Sequence, residues 1–116
     1  INSTFHAEFV HWENCYQIPQ GTEVVINATS IGLFPDIEAR LNIDPESLTE
    51  EMVVADVIPN PPKTLFVKDA TERGCKVIDG LEMLVAQGVI GIEYWTGQSP
   101  DSAIMRKGLE DVFGSS

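Results

Sequence analysis

Two stretches decide the fold: Glu23-Val24-Val25-Ile26-Asn27-Ala28 and Met52-Val53-Val54-Ala55-Asp56-Val57-Ile58. Each is a short, continuous apolar run rather than an alternation of apolar and polar positions. A strand that is apolar on both faces suits a parallel sheet covered by helices on each side. A third, shorter run follows at Cys75-Lys76-Val77-Ile78. Helical stretches alternate with these strands. Residues 62–73 have the length and composition of a helix, with Pro61 and Pro62 at its start and Gly74 just past its end. Asp79-Gly80-Leu81-Glu82 has capping-box spacing, so Glu82 is expected to reach back to the Asp79 amide. Behind that cap, Leu81, Leu84, Val85, Gly88, Ile92 and Trp95 share one helical face, and Met83, Gln87, Ile90 and Tyr94 form a second stripe. A helix apolar on two sides packs on two sides, and Gly97 ends it.

Ser99 and Pro100 read as the N-cap and first turn of a last helix, with Ile104, Met105, Leu109, Val112 and Phe113 on its apolar side. Upstream, residues 5–12 are rich in aromatic and β-favouring types and read as a short strand. Residues 14–21 read as a loop, and residues 33–50 as a loop with a short helix around Asp44 to Glu51. This order predicts an α/β fold: a partial Rossmann-like, doubly wound parallel sheet with flanking helices in three α/β/α layers, its distal half only.

The chain has 116 residues, which fits one domain. Hydrophobic residues make up 43% and charged residues 22%, so the chain is expected to fold around a core. Seven Lys+Arg against eighteen Asp+Glu give a formal net charge of −11. That balance argues against a nucleic-acid partner and against an anionic membrane surface. The apolar runs are too short to span a bilayer, no signal peptide is visible, and a cytoplasmic location is expected. The chain begins at Ile1 without a Met, which points to processing or to a piece of a longer polypeptide. Cys15 and Cys75 match no metal-ligand spacing and read as reduced, partly buried thiols. His6 and His11 would point to opposite faces of an extended segment, so no metal site is expected. Two sequons, at Asn2 and Asn27, would matter only in a secreted protein, and the second lies inside a strand pattern.

In an open parallel sheet, ligands sit beyond the carboxyl ends of the strands. Asn27-Ala28-Thr29-Ser30-Ile31-Gly32 follows the first buried strand and carries small hydroxyl residues and a Gly. Asp56-Val57-Ile58-Pro59-Asn60-Pro61-Pro62 follows the second. Asp79-Gly80 follows the third, at a helix N-terminus whose backbone amides favour a polar or anionic group. Each segment alone also reads as an ordinary turn or cap; three at successive strand ends point to a binding crevice.

In order, VVINATSIG, VVADVIPNPPKT, ERGCKVIDGLEMLVAQG and EYWTG resemble the C-terminal half of the nucleotide-binding domain in the shikimate/quinate dehydrogenase family. The match runs from about residue 22 to 97. The resemblance implies an NADP- or NAD-dependent oxidoreductase that reversibly reduces a 3-dehydro acid such as 3-dehydroshikimate. It implies that Ser30 lies beside the cofactor's ribose and nicotinamide, that Val57 and Ile58 pack against that ring, and that Gly80 presents its backbone to it. It implies that Gln87 hydrogen-bonds the hydroxyls of a shikimate- or quinate-like substrate; a buried structural Gln is the plain alternative.

Two departures bear on the substrate. Pro59 stands where the family usually has a substrate-touching Tyr, and it brings neither hydroxyl nor amide hydrogen. Glu82 stands where the family usually has Gly. The Gly-rich loop that cradles a pyrophosphate does not occur in these residues. The family's catalytic Lys and Asp belong to an N-terminal substrate domain with no counterpart here, so no catalytic residue is assigned. Residues 1–116 are therefore expected to be the C-terminal part of a dinucleotide-binding domain, without its first βαβ unit.

Two functions follow: part of a dehydrogenase of this family, or a non-catalytic truncated module for binding or dimerisation. The two-sided apolar helix favours a homodimer in the second case. Another Rossmann enzyme, such as a methylenetetrahydrofolate dehydrogenase, shares the architecture but not the wording.

Overall fold

The computed structural model describes residues 6–114. The elements run β1 (Val24–Asn27), a 3-10 turn (Pro45–Ser47), β2 (Val53–Asp56), α1 (Leu65–Glu72), β3 (Lys76–Ile78), α2 (Gly80–Thr96) and α3 (Ser102–Phe113). The three apolar runs form one parallel sheet in the order β1-β2-β3. Register pairs Val25 with Val54 and Asn27 with Asp56, so these four share a face. The α/β order expected from the sequence is the one observed.

The main core sits on that face. Leu48, Met52, Val54, Phe66, Ala70 and Cys75 cluster there, and Ile18, Val25, Leu41, Ile43 and Val77 pack around them. Each fully buried Leu or Met contributes roughly 2 kcal/mol. Leu48 and Met52 arrive on the 33–52 segment, which is tied down where Tyr16 N–H donates to Asn42 O at 2.8 Å and Asp44 N–H to Tyr16 O at 2.9 Å. On the opposite face of β1, Val24 and Ile26 are 55% and 58% exposed.

Helix ends follow local chemistry, with some shifts from the expected positions. Helix α1 starts at its Thr64 cap, whose hydroxyl accepts from Val67 N–H at 3.2 Å, rather than at Pro61 and Pro62. Gly74, at φ +83°, turns the chain out of it. Asp79 caps α2 by accepting from Glu82 N–H at 2.9 Å, and Gly97 ends α2 in the left-handed region at φ +73°. The cap of α3 is Asp101, not Ser99, because its carboxylate reaches both Ala103 N–H and Ile104 N–H. Ser99 instead donates to Glu93 Oε1 at 2.8 Å.

Residues 6–12 run as exposed, irregular chain rather than a strand. Strand propensity needs a neighbouring strand to become a ladder, and in this part of the chain the pairing is a single bridge, Tyr16 to Ile43. Phe5 and the sequon at Asn2 lie outside the described residues. Helix α2 departs from its expected burial in its last turns, where Tyr94 and Trp95 are 87% and 78% exposed. At about 25 Å the helix outruns a three-stranded sheet; its body packs against α3, with Gly88 opposite Met105.

Candidate functional site

Because the strands are parallel, their three following turns emerge at one rim of the sheet. The first two are joined by a buried polar network. Asn27, Asp56 and Thr64 are nearly inaccessible to solvent. Asn27 Nδ2 donates to the Asp56 carboxylate at 3.3 and 3.4 Å, and the Thr64 hydroxyl donates to Asp56 Oδ2 at 2.6 Å. Ile58 N–H donates to Asp56 Oδ1 at 3.0 Å. At its other end, Asn27 Oδ1 accepts from Thr29 N–H at 3.0 Å and from the Thr29 hydroxyl at 2.6 Å. Every polar atom of this cluster has a partner, as burial demands. Further ties follow outside it: Val57 N–H donates to Asn27 O at 3.2 Å, and Phe34 N–H to Asn60 O at 2.9 Å.

The third turn meets the second through Gly80. A Cβ built there would lie 1.9 Å from Ile58 O and 2.8 Å from Pro59 N, so the first turn of α2 rests directly on the backbone of residues 58–59. Only a glycine permits that approach.

The structure therefore brings the turns carrying Ser30, Val57, Ile58, Pro59 and Gly80 to a single rim. Ser30 is exposed, Val57 and Pro59 are half-buried, and Ile58 and Gly80 are buried. Gln87 is exposed and lies seven residues beyond Gly80, hence on the same face of α2 and about 10 Å further along it. The rim offers hydroxyls, backbone groups and apolar side chains. Its carboxylate, Asp56, faces inward onto Asn27, Ile58 and Thr64.

A separate hollow of about 450 Å³ opens between α2 and α3, lined in part by Glu82, Val85, Val89 and Arg106. Val89, nine residues after Gly80, is half a turn round the helix from it, so this hollow lies on the far side of α2 from the rim. Glu82 thus stands away from the rim. Arg106 bridges from α3 to the α2 cap, contacting Asp79 Oδ1 at 3.2 Å and Oδ2 at 2.8 Å. Burial pushes the Asp79 carboxyl up, but the Arg106 guanidinium, the Glu82 amide and Lys63 outweigh it and hold the group below its ordinary value. Among the described residues, no group of His, Cys, Asp and Glu could hold a metal ion.

Residue-by-residue reading missed the Asn27–Asp56–Thr64 network and Arg106. Asn27 and Asp56 were visible as polar residues ending apolar runs. Arg106 carried no local signal, since its partner is 27 positions away.

Comparison with known proteins follows the same lines. Residues 80–110 match the model of the Shikimate 5'-dehydrogenase C-terminal domain. The shikimate dehydrogenase (NADP(+)) of Methanococcus aeolicus is 41% identical over 90 residues, covering 78% of this chain and 32% of that protein. A shikimate dehydrogenase solved in complex with NADP+ aligns with TM-score 0.75 at 38% identity, over 82% of this chain and 33% of that one. This chain is similar to the C-terminal part of shikimate dehydrogenases. Within that fold, the ligand-free 5-ketofructose reductase of Gluconobacter sp. strain CHM43 aligns with TM-score 0.84 at 55% identity, over 88% of this chain and 36% of that one. The chain spans about a third of the length of the relatives it matches. No helix among the described residues is long and apolar enough to cross a membrane.

Proposed function

We propose that this chain is the C-terminal part of the dinucleotide-binding domain of an NADP- or NAD-dependent oxidoreductase that interconverts a ketone and a secondary alcohol. The observation that carries this reading is the contact of Gly80 on the Ile58 backbone, which joins the third strand-end turn to a pair already linked through Asp56. Ser30, Val57, Ile58 and Gly80 would hold the nicotinamide end: a hydroxyl for the ribose, an apolar wall for the ring and a backbone edge beside it. Such a surface suits a flat, partly apolar ring and excludes water from it. The pyrophosphate would be held by a Gly-rich loop outside these 116 residues. When bound, the cofactor supplies or accepts the hydride. Gln87, an amide with donors and an acceptor, would orient a substrate hydroxyl. A cytoplasmic setting fits the two free thiols, Cys15 and Cys75.

Two observations favour a polyhydroxylated ketone of the 5-ketofructose kind over a cyclic acid. Pro59 removes the hydroxyl expected at the substrate wall, and sequence identity is higher with the ketofructose reductase than with the shikimate dehydrogenases compared. A shikimate- or quinate-like acid is the second reading. The relatives are enzymes, which gives the non-catalytic module no support.

The test is oxidation of NADPH and of NADH by the full polypeptide carrying this chain, with 5-ketofructose, 3-dehydroshikimate and 3-dehydroquinate. Turnover is expected, fastest with 5-ketofructose. Preference for either cyclic acid would overturn the substrate choice; no turnover with any of them would overturn the oxidoreductase reading. Residues 1–116 alone should give no turnover above the no-enzyme blank, because the proton-transfer pair lies outside them.

A further inference from the structure

Asp56 stands at the end of the central strand, 1% exposed, and touches nothing at the surface of the rim. A carboxylate is a poor way to fill core volume, because desolvating it is costly. It is a good way to gather donors from several directions. Its three partners come from separate pieces of chain: Asn27 at the end of β1, Ile58 two residues beyond β2, and Thr64 at the cap of α1. Two of these connections continue outward. Asn27 passes through its Oδ1 to Thr29, the neighbour of Ser30, and Ile58 passes through its carbonyl to Gly80. The third connection, through Thr64, leads away from the rim into α1, where the hydroxyl also accepts from Val67 N–H.

We propose that Asp56 is a positioning residue: through Asn27 and the Ile58 amide, its one carboxylate sets the spacing between the Ser30 turn and the Ile58–Gly80 turn. This rests on reading the rim as the nicotinamide-facing surface. If that spacing orients the ring for hydride transfer, disturbing it lowers kcat, whereas a purely structural carboxylate would lower only the melting temperature. The donor–acceptor pattern also supplies its own rescue. In Asp56→Asn the new amide nitrogen faces the Asn27 nitrogen, donor against donor. Adding Asn27→Asp restores the match between positions 27 and 56, giving up only the long 3.5 Å donation from Asn27 Nδ2 to Ile31 O. The carboxylate then at position 27 still accepts from Thr29, while the amide at position 56 offers its oxygen to Ile58 N–H and its nitrogen to both that carboxylate and Thr64.

The experiment compares Asp56→Asn, the swapped pair Asn27→Asp/Asp56→Asn and Thr64→Val in the full polypeptide, all well below their melting temperatures. Hydrogen exchange at the Ile58 and Thr29 amides is followed alongside steady-state kinetics with NADPH and the preferred ketone. Asp56→Asn should lower kcat at least tenfold and speed exchange at both amides. The swap should recover kcat to within about threefold of the starting protein, and Thr64→Val should lower Tm while changing kcat less than twofold. Unchanged kcat in folded Asp56→Asn would overturn the proposal, as would a swap that rescues Tm but not kcat. Should Asp56→Asn not fold, the swap against Thr64→Val decides by the same kcat criterion. If the unaltered protein turns over no ketone, the oxidoreductase reading falls by itself. Exchange then decides the rest: joint release of both amides supports the coupling, and release of neither, or of one alone, overturns it.

Discussion

Replacing Gly80 by Ala tests the contact that joins the third turn to the other two. The added methyl would sit 1.9 Å from Ile58 O, 2.3 Å from its carbonyl carbon and 2.8 Å from Pro59 N. A comfortable carbon–oxygen approach is about 3.3 Å, so the two turns must part by roughly 1.4 Å. Ile58 cannot swing away alone, because its amide is pinned to Asp56 and Asp56 to Asn27 and Thr64. Overpacking typically costs about 1–3 kcal/mol, and a clash with backbone rather than a mobile side-chain tip belongs at the upper end, near 3 kcal/mol. With a urea slope of about 2 kcal/mol per molar, the midpoint should fall by roughly 1.5 M. Far-UV circular dichroism is the suitable probe, since Trp12 and Trp95 are already 42% and 78% exposed and would report unfolding weakly. Gly88→Ala is the control. Its methyl would meet only the terminal methyl of Met105, at 2.6 Å, and a flexible tip can move aside, so the loss should stay under about 1 kcal/mol. A Gly80→Ala midpoint within about 0.3 M of the starting protein would refute the close approach, and with it the single rim.

Three further outcomes are expected. Asp79 is held below its ordinary carboxylate value in the folded chain, so its stabilising share is complete above the unfolded value of about 3.9 and is lost as pH falls through the lower folded value. Asp79→Asn keeps a cap acceptor but not the ion pair, so it should flatten the fall in stability on acidification below about pH 4; an unchanged acid limb in urea titrations would contradict this. Cys15 is exposed and Cys75 buried, with burial pushing the Cys75 thiol up, so a thiol reagent should modify Cys15 in the folded chain and Cys75 only after denaturant is added; equal rates would count against the placement of Cys75. Ile90, Tyr94, Trp95 and Ile104 lie 67–87% exposed along α2 and α3, so residues 1–116 alone should self-associate with rising concentration in sedimentation; a single monomer at high concentration would argue otherwise.

Much of the architecture could be read directly because the information was local. The apolar runs at Val24–Asn27 and Val53–Asp56 are too short for helices and too uniform for a one-sided sheet, and Asp79 and Gly97 bracket α2 by cap chemistry alone. Misreadings fell where a neighbour decides. Residues 6–12 have strand composition but, among the described residues, no adjacent strand to pair with, and Trp95 keeps helical phase with Leu81 yet lies beyond the sheet that would bury it. Ser99 lost the cap of α3 to Asp101 because two amides lie within reach of one carboxylate. At the rim, strand-end position was legible from topology. The Asp56 hub was not, since a polar residue closing an apolar run reads equally as the strand's exit into solvent.

The bare outer side of β1 sets terms for anyone handling this polypeptide. Among the described residues β1 pairs only with β2, leaving a row of backbone donors and acceptors next to the uncovered Val24 and Ile26. Such an edge templates a strand from another molecule. At neutral pH the excess of eleven negative charges opposes pairing at this edge. Acidification neutralises that repulsion without closing the edge, so clumping should set in as pH approaches the sequence pI of about 4.3, above the range in which Asp79 is titrated. The acid-stability measurement therefore belongs at micromolar dilution, with light scattering run beside it to separate unfolding from coalescence.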